Sequence, residues 1–198
     1  AYSFRNCSSL STILLPNTIT SIGAYAFYGC SALTLHLDSS VETILPTSLT
    51  TLGDYAFYDC DSLEHVALPS GLSSVGTYTF ASNASLKTVT FAGNVLGAYM
   101  FYQDPLLEYV KLATPTTIPT YAFASCTALK QIEIPSSVTT LEEKVFDSCT
   151  ALESINIPAA VSSIAAYAFA NCTALSYATF RNAIVGAHMF ENDTDLLD

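Results

Sequence analysis

The stretch Leu129-Lys130-Gln131-Ile132-Glu133-Ile134-Pro135-Ser136-Ser137-Val138-Thr139-Thr140-Leu141-Glu142-Glu143-Lys144-Val145-Phe146-Asp147-Ser148-Cys149 decides how this chain folds. Ile132 and Ile134 alternate with polar residues, the period of a short strand buried on one side. Pro135 lacks a backbone N–H and ends that strand. Val138 and Leu141 stand three apart in a Ser/Thr-rich stretch, which suits an irregular or second short-strand segment. The following Val-Phe-x-x-Cys piece is too short for a full helix, so it predicts a 3₁₀ or single helical turn.

The same sentence recurs along the chain. Its phenylalanines are Phe4, Phe27, Phe57, Phe80, Phe101, Phe123, Phe146, Phe169 and Phe190, spaced by 23, 30, 23, 21, 22, 23, 23 and 21 residues. A period near 23 is the signature of a solenoid, in which each turn packs only on its neighbours. One turn offers about six apolar side chains and cannot bury them alone. Stacking at about 4.8 Å per turn buries them in a continuous core and gives a rod or arc roughly 40 Å long. The 198 residues, 51% of them hydrophobic, supply enough material for one such domain spanning 1–198. It holds about eight to nine repeats, most of 21–23 residues, with one enlarged copy at 27–56 and both ends inside repeats.

The string from Leu129 through Ile132, Ile134, Pro135, Val138, Leu141, Val145 and Phe146 to Cys149 resembles the BspA-like leucine-rich repeat family, the spirochaete-type subclass. The likeness covers essentially the whole chain. It implies an α/β repeat fold: a right-handed leucine-rich-repeat horseshoe, strand-rich, with a parallel sheet on the concave side and short 3₁₀ or helical turns. It also implies surface or secreted proteins, several of them adhesins. The partner implied is a protein or glycan on a host or neighbouring cell.

Composition excludes other classes. The formal charge is −11 and only six residues are Lys or Arg. A nucleic-acid reader needs a basic stripe to release counterions, so no nucleic-acid partner is expected. No apolar run approaches the roughly 20 residues that span a bilayer, so no direct membrane insertion is expected. The six cysteines, Cys7, Cys30, Cys60, Cys126, Cys149 and Cys172, each follow a repeat phenylalanine by three residues, where other copies carry Asn83, Asp104 and Asp193. Such a column predicts an inward ladder of reduced, buried thiols. No zinc site follows from one thiol per turn. Bare solenoid ends expose apolar core, so the chain reads as a segment of a longer protein, with end-to-end self-association as the second expectation.

Catalysis has little to stand on. His36, His65 and His188 lie in separate copies without metal-binding spacing, and no phosphate-binding or nucleophile-elbow motif occurs. No catalytic residue, cofactor or metal is expected. The acidic end Glu191–Asp195 lacks a calcium-loop pattern. The sequons at Asn6, Asn83, Asn171 and Asn192 share one turn of the repeat, so repetition explains them as well as modification does.

Function should therefore lie where copies differ. The additional residues of the enlarged copy, around Leu35–Thr43, predict a loop on one face. Phe91–Phe101 and Phe180–Phe190 resemble each other 89 residues apart, which points to a duplicated block. Tyr2, Tyr25, Tyr55, Tyr78, Tyr99, Tyr121 and Tyr167 stand two before their phenylalanines, with Lys144 and His188 in the other copies. In register these make an aromatic stripe that shields the core flank or serves as a contact ridge. The polar strand positions form two varied files on the concave sheet. The candidate partner-binding residues there are His65, Thr88, Tyr109, Lys111, Gln131, Glu133, Ser154, Asn156 and Tyr177. A non-enzymatic binding or adhesion module is the leading expectation, with a structural spacer or an intracellular interaction scaffold as alternatives.

Overall fold

A computed structural model describes residues 1–34, 43–180 and 184–194. In chain order its strands are β1 (Ser21–Ile22), β2 (Thr43–Ile44), β3 (Thr51–Leu52), β4 (His65–Leu68), β5 (Ser74–Val75), β6 (Thr88–Phe91) and β7 (Tyr109–Leu112). They continue as β8 (Thr117–Ile118), β9 (Thr140–Leu141), β10 (Ser154–Asn156), β11 (Ser163–Ile164), β12 (Tyr177–Thr179) and β13 (Ile184–Val185). All pairings are parallel and join successive turns, so the chain is a parallel-strand solenoid. One face carries the longer strands, ordered β2-β4-β6-β7 and β10-β12. A second face carries only two-residue strands, ordered β1-β3-β5 and β13-β11-β9-β8.

The phenylalanine column is the spine of the core. Ring centroids from Phe4 to Phe190 follow one another at 5.0–6.0 Å, with the ring planes nearly parallel throughout. Phe57, Phe80, Phe101, Phe123, Phe146 and Phe169 are fully buried, whereas Phe4 at the end of the stack is 36% exposed. Offset stacking at these separations adds pair energy to the burial of each ring.

No helix forms among the described residues, contrary to the expected 3₁₀ or helical turn. The reason is a left-handed backbone at two places in every copy. The tyrosine position has φ of 54–62°, including Lys144 and His188. The position two after the phenylalanine, Asn6, Gly29, Asp59, Ser82, Gln103, Ser125, Ser148, Asn171 and Asn192, has φ of 58–68°. Right-handed helix cannot run through either. The segment is instead a pair of tight turns, closed by bonds such as Ala26 N–H to Gly23 O and Cys30 N–H to Phe27 O.

Five cysteines are buried and only Cys7 is exposed. Each buried thiol donates to the phenylalanine carbonyl of the preceding copy: Cys30 to Phe4, Cys60 to Phe27, Cys126 to Phe101, Cys149 to Phe123 and Cys172 to Phe146, at 3.0–3.2 Å. The column therefore ties turn to turn as well as filling space. At the glycine position the turns approach so closely that a Cβ on Gly53 would overlap Ala24 N, so a side chain does not fit there.

The strand expected at Gln131–Ile134 keeps its burial alternation but not its ladder. Proline explains this. Ala92 N–H donates to Leu68 O (3.1 Å) and Ala113 N–H to Phe91 O (3.0 Å), so in these two copies the position makes a rung to the copy before. The next two copies carry Pro135 and Pro158 there, and neither can donate. Accordingly β6 and β7 pair fully with the strands before them, while 131–134 joins neither β7 nor β10 in the sheet. The proline thus ends its own strand and removes a rung to the preceding one; β4, with Pro69 at this position, keeps a two-residue pairing with β2, whereas 131–134 keeps none with β7.

Candidate functional site

The interruption of the long-strand sheet opens a groove of about 1020 Å³. Its walls are β7 with its flanks, Glu108 and Ala113, and the unpaired segment from Lys130 to Ser136. Ser154 and Asn156 of β10 close the far side. Leu112 and Ile132 in its floor are 8% and 7% exposed, against 2% and 0% for Phe91 and Val89 in the fully paired β6. The core is thus slightly uncovered at this point.

Six of the nine residues singled out from the sequence line this groove: Tyr109, Lys111, Gln131, Glu133, Ser154 and Asn156. Tyr109, 53% exposed, lines the groove. Asn156 Oδ1 accepts the Thr179 hydroxyl at 2.6 Å, which fixes the amide and leaves its N–H groups as donors. The other three lie elsewhere. His65 and Thr88 are joined to each other, His65 Nδ1 to Thr88 Oγ1 at 2.7 Å, on β4 and β6. Tyr177, 62% exposed, stands on β12 outside the groove.

The residues preceding the strands form a column that the sequence reading missed: Glu64, Lys87, Glu108, Lys130 and Glu153. Their charges alternate, and register places each beside the next. Lys87 Nζ meets Glu64 Oε2 at 2.9 Å, over a backbone rung from Lys87 N–H to Glu64 O at 2.8 Å. Across the groove both links are missing. Among the described residues, Glu108 and Lys130 form no ion pair, nor do Lys111 and Glu133 three residues along, and Lys130 N–H does not reach Glu108 O. The groove is therefore edged by two carboxylates and two ammonium groups free for a ligand. The alternation at the repeat spacing was the signal that would have found Glu108 and Lys130.

Elsewhere the tyrosine stripe is a ring stack interrupted at Lys144. Tyr2, Tyr25, Tyr55, Tyr78, Tyr99 and Tyr121 follow at 4.4–5.0 Å between centroids. Lys144 Nζ lies 5.3 Å from both Tyr121 and Tyr167, and the His188 ring stacks on Tyr167 at 5.2 Å. Within the column the rings stack face to face and are partly buried, whereas Tyr2 at its end is 54% exposed. The stripe shields the flank, as one of the two expectations held. Of the acidic end, Glu191 pairs with His188 (3.0 Å) and Asp193 Oδ1 accepts Cys172 N–H (2.7 Å). No group of three metal-ligating side chains occurs among the described residues. The enlarged copy's additional residues and His36 lie outside the described residues.

The chain matches the family model "BspA type Leucine rich repeat region (6 copies)" over residues 1–95 and again over 94–198. It belongs to the BspA-type leucine-rich repeat family. Solved structures of similar fold agree with that membership. A leucine-rich repeat protein of T. pallidum superposes with a TM-score of 0.62 at 25% identity, over 95% of this chain and 78% of its own. One from Bacteroides ovatus gives 0.57 at 24%, over 98% and 73%. A leucine rich cell surface protein from Faecalibacterium prausnitzii gives 0.58 at 24%, over 92% and 62%. No curated protein matches the chain. Leucine-rich repeat proteins are in general non-catalytic repeat scaffolds that bind proteins. No helix among the described residues is long and apolar enough to cross a membrane.

Proposed function

We propose that this chain is a non-catalytic adhesion module of a surface or secreted protein. It engages a protein or glycan of a host or neighbouring cell through the groove on its long-strand face. The observation that carries this reading is the coincidence of three features at one place. The sheet is interrupted there, its core floor is partly uncovered, and the varied residues Tyr109, Lys111, Gln131, Glu133, Ser154 and Asn156 converge with unpaired charges around it. Binding sites are concave, with a few polar groups that fix orientation over an apolar base. An exposed tyrosine supplies contact area at low entropic cost. Among the structural relatives, the Faecalibacterium protein is described as a cell surface protein, which supports the location.

The test compares the chain with a variant carrying Tyr109→Ala, Lys111→Ala, Gln131→Ala and Glu133→Ala. Both are applied to immobilised extracellular-matrix proteins and to cultured cells. Loss of most binding with unchanged thermal unfolding supports the groove. Equal binding by both forms removes it, and failure of either form to bind any surface leaves the spacer reading in its place.

A further inference from the structure

We infer that Pro135 is a positioning residue that holds the binding groove open, by withholding the backbone rung that would close the long-strand sheet over Gln131–Ile134. The inference deepens the binding role proposed above and rests on it for its purpose. The molecule contains its own control. Where the equivalent position is Ala92 or Ala113, its N–H reaches the carbonyl of the preceding strand, and the two strands pair over four residues. Where it is Pro69, the rung is lost and β4 pairs with β2 over Thr43–Ile44, two residues against the four of β6 and β7; where it is Pro135, no pairing remains along 131–134.

Everything else needed for closure is in place. The turns on either side of the core remain stacked at this level, with Phe101 and Phe123 rings 5.6 Å apart and Tyr99 and Tyr121 4.6 Å apart. The second face is also paired across the following step, Thr117 to Thr140 and Ile118 to Leu141. On the open face, Glu108 lies in register with Lys130 and Lys111 with Glu133, both pairs of opposite sign. The matching pair Glu64 and Lys87 shows the closed form of the same rung. A closed seam would bring these opposite charges side by side and cover Leu112 and Ile132. The proline keeps them available.

Amide hydrogen exchange of the unliganded chain tests this without reference to any partner. In the parent, the amides of Gln131–Ile134 should exchange much faster than those of Val89–Phe91. In Pro135→Ala they should slow roughly tenfold or more, toward the rate of β6. Adding Lys130→Glu to that variant sets a third carboxylate between Glu108 and Glu153, and this like-charge row should return fast exchange. Pro69→Ala, which lies outside the groove, should leave Gln131–Ile134 unchanged. Slow exchange of this segment in the parent, or no slowing in Pro135→Ala, overturns the inference. Closure in Pro135→Ala with undiminished binding to matrix proteins counts against the groove as the binding site, while leaving the role of Pro135 in the fold intact.

Discussion

Asp104 Oδ1 accepts the backbone N–H of Asn83 at 2.7 Å from a wholly buried position, and its second carboxyl oxygen has no partner among the described residues. Both residues replace cysteine in the ladder. Asn83 shows how the site is satisfied by an amide: Oδ1 accepts Cys60 N–H at 2.8 Å, and Nδ2 donates to the Phe80 carbonyl of its own copy. A carboxylate there has one oxygen too many for the donors available. Burial pushes the Asp104 carboxyl well above the usual range, against the lowering effect of the Asn83 N–H.

The consequence for stability has a definite sign. A carboxyl whose pKa is raised on folding holds its proton more tightly in the native state. Its contribution is therefore fully favourable below the unfolded pKa, near 4, and is lost as pH rises toward the folded value. Asp193, pushed up to about 7 by burial, acts in the same direction between about pH 4 and 7. Asp104→Asn should raise stability at pH 7 by on the order of 1–3 kcal/mol and flatten the decline above pH 4. Denaturant titrations at pH 4, 5.5 and 7 measure both effects. A variant less stable than the parent at pH 7 would show that the carboxylate has a partner after all.

Phe123 lies between Phe101 and Phe146 in the middle of the stack, fully buried. Phe123→Ala should cost about 3–5 kcal/mol through the cavity it leaves. Phe4 stacks only on Phe27 and is 36% exposed, so Phe4→Ala should cost far less. Equal losses in chemical denaturation would contradict a core built from nearest-neighbour steps.

Much of this was legible in the residues, because a repeat restates each position many times. The phenylalanine, cysteine and tyrosine columns could be read from spacing alone, and so could the files on the strand face. What could not be read was set by relations between copies. Pro135 has a local meaning, the end of a strand, which the sequence shows. Its effect on pairing depends on which neighbour its missing N–H faces, and that direction appears only once the turns are stacked. The two left-handed positions were hidden for a similar reason. Tyrosine at φ near 55° is locally unfavourable, so propensity pointed to a helical turn that the packed column overrides.

Lys144 is the one position in the tyrosine column between Tyr2 and Tyr167 that lacks an aromatic ring. Its ammonium sits between Tyr121 and Tyr167, and a hydrogen bond with Tyr121 leads the effects that raise its pKa. The backbone there has the same φ as the tyrosine-bearing copies, so Lys144→Tyr meets no new strain. It should complete the stack and add about 0.5–1.5 kcal/mol. Lys144→Ala keeps the left-handed backbone and removes the contacts, so it should lower stability. Thermal unfolding of the two variants in parallel gives the comparison, and a melting temperature for Lys144→Tyr below the parent's would sink the proposal that the column is limited by ring contacts.

The thiol ladder makes a prediction that separates packing from oxidation. Cys30, Cys60, Cys126, Cys149 and Cys172 are buried, each donating its S–H to a carbonyl one turn away. Burial leads the causes that raise the pKa of all five, which suppresses the reactive thiolate. Cys7 alone is exposed. Titration of the native protein with a thiol reagent should therefore label Cys7 quickly and the other five only at the rate of unfolding. In denaturant all six should react. Cys149→Ser tests the energetics: a hydroxyl can keep the bond to Phe123 O but loses the buried sulfur surface, so stability should fall by about 1 kcal/mol or more. If fewer than six thiols appear in denaturant without reductant, some of the column is disulfide-bonded and the S–H···O ladder is not the form the protein adopts.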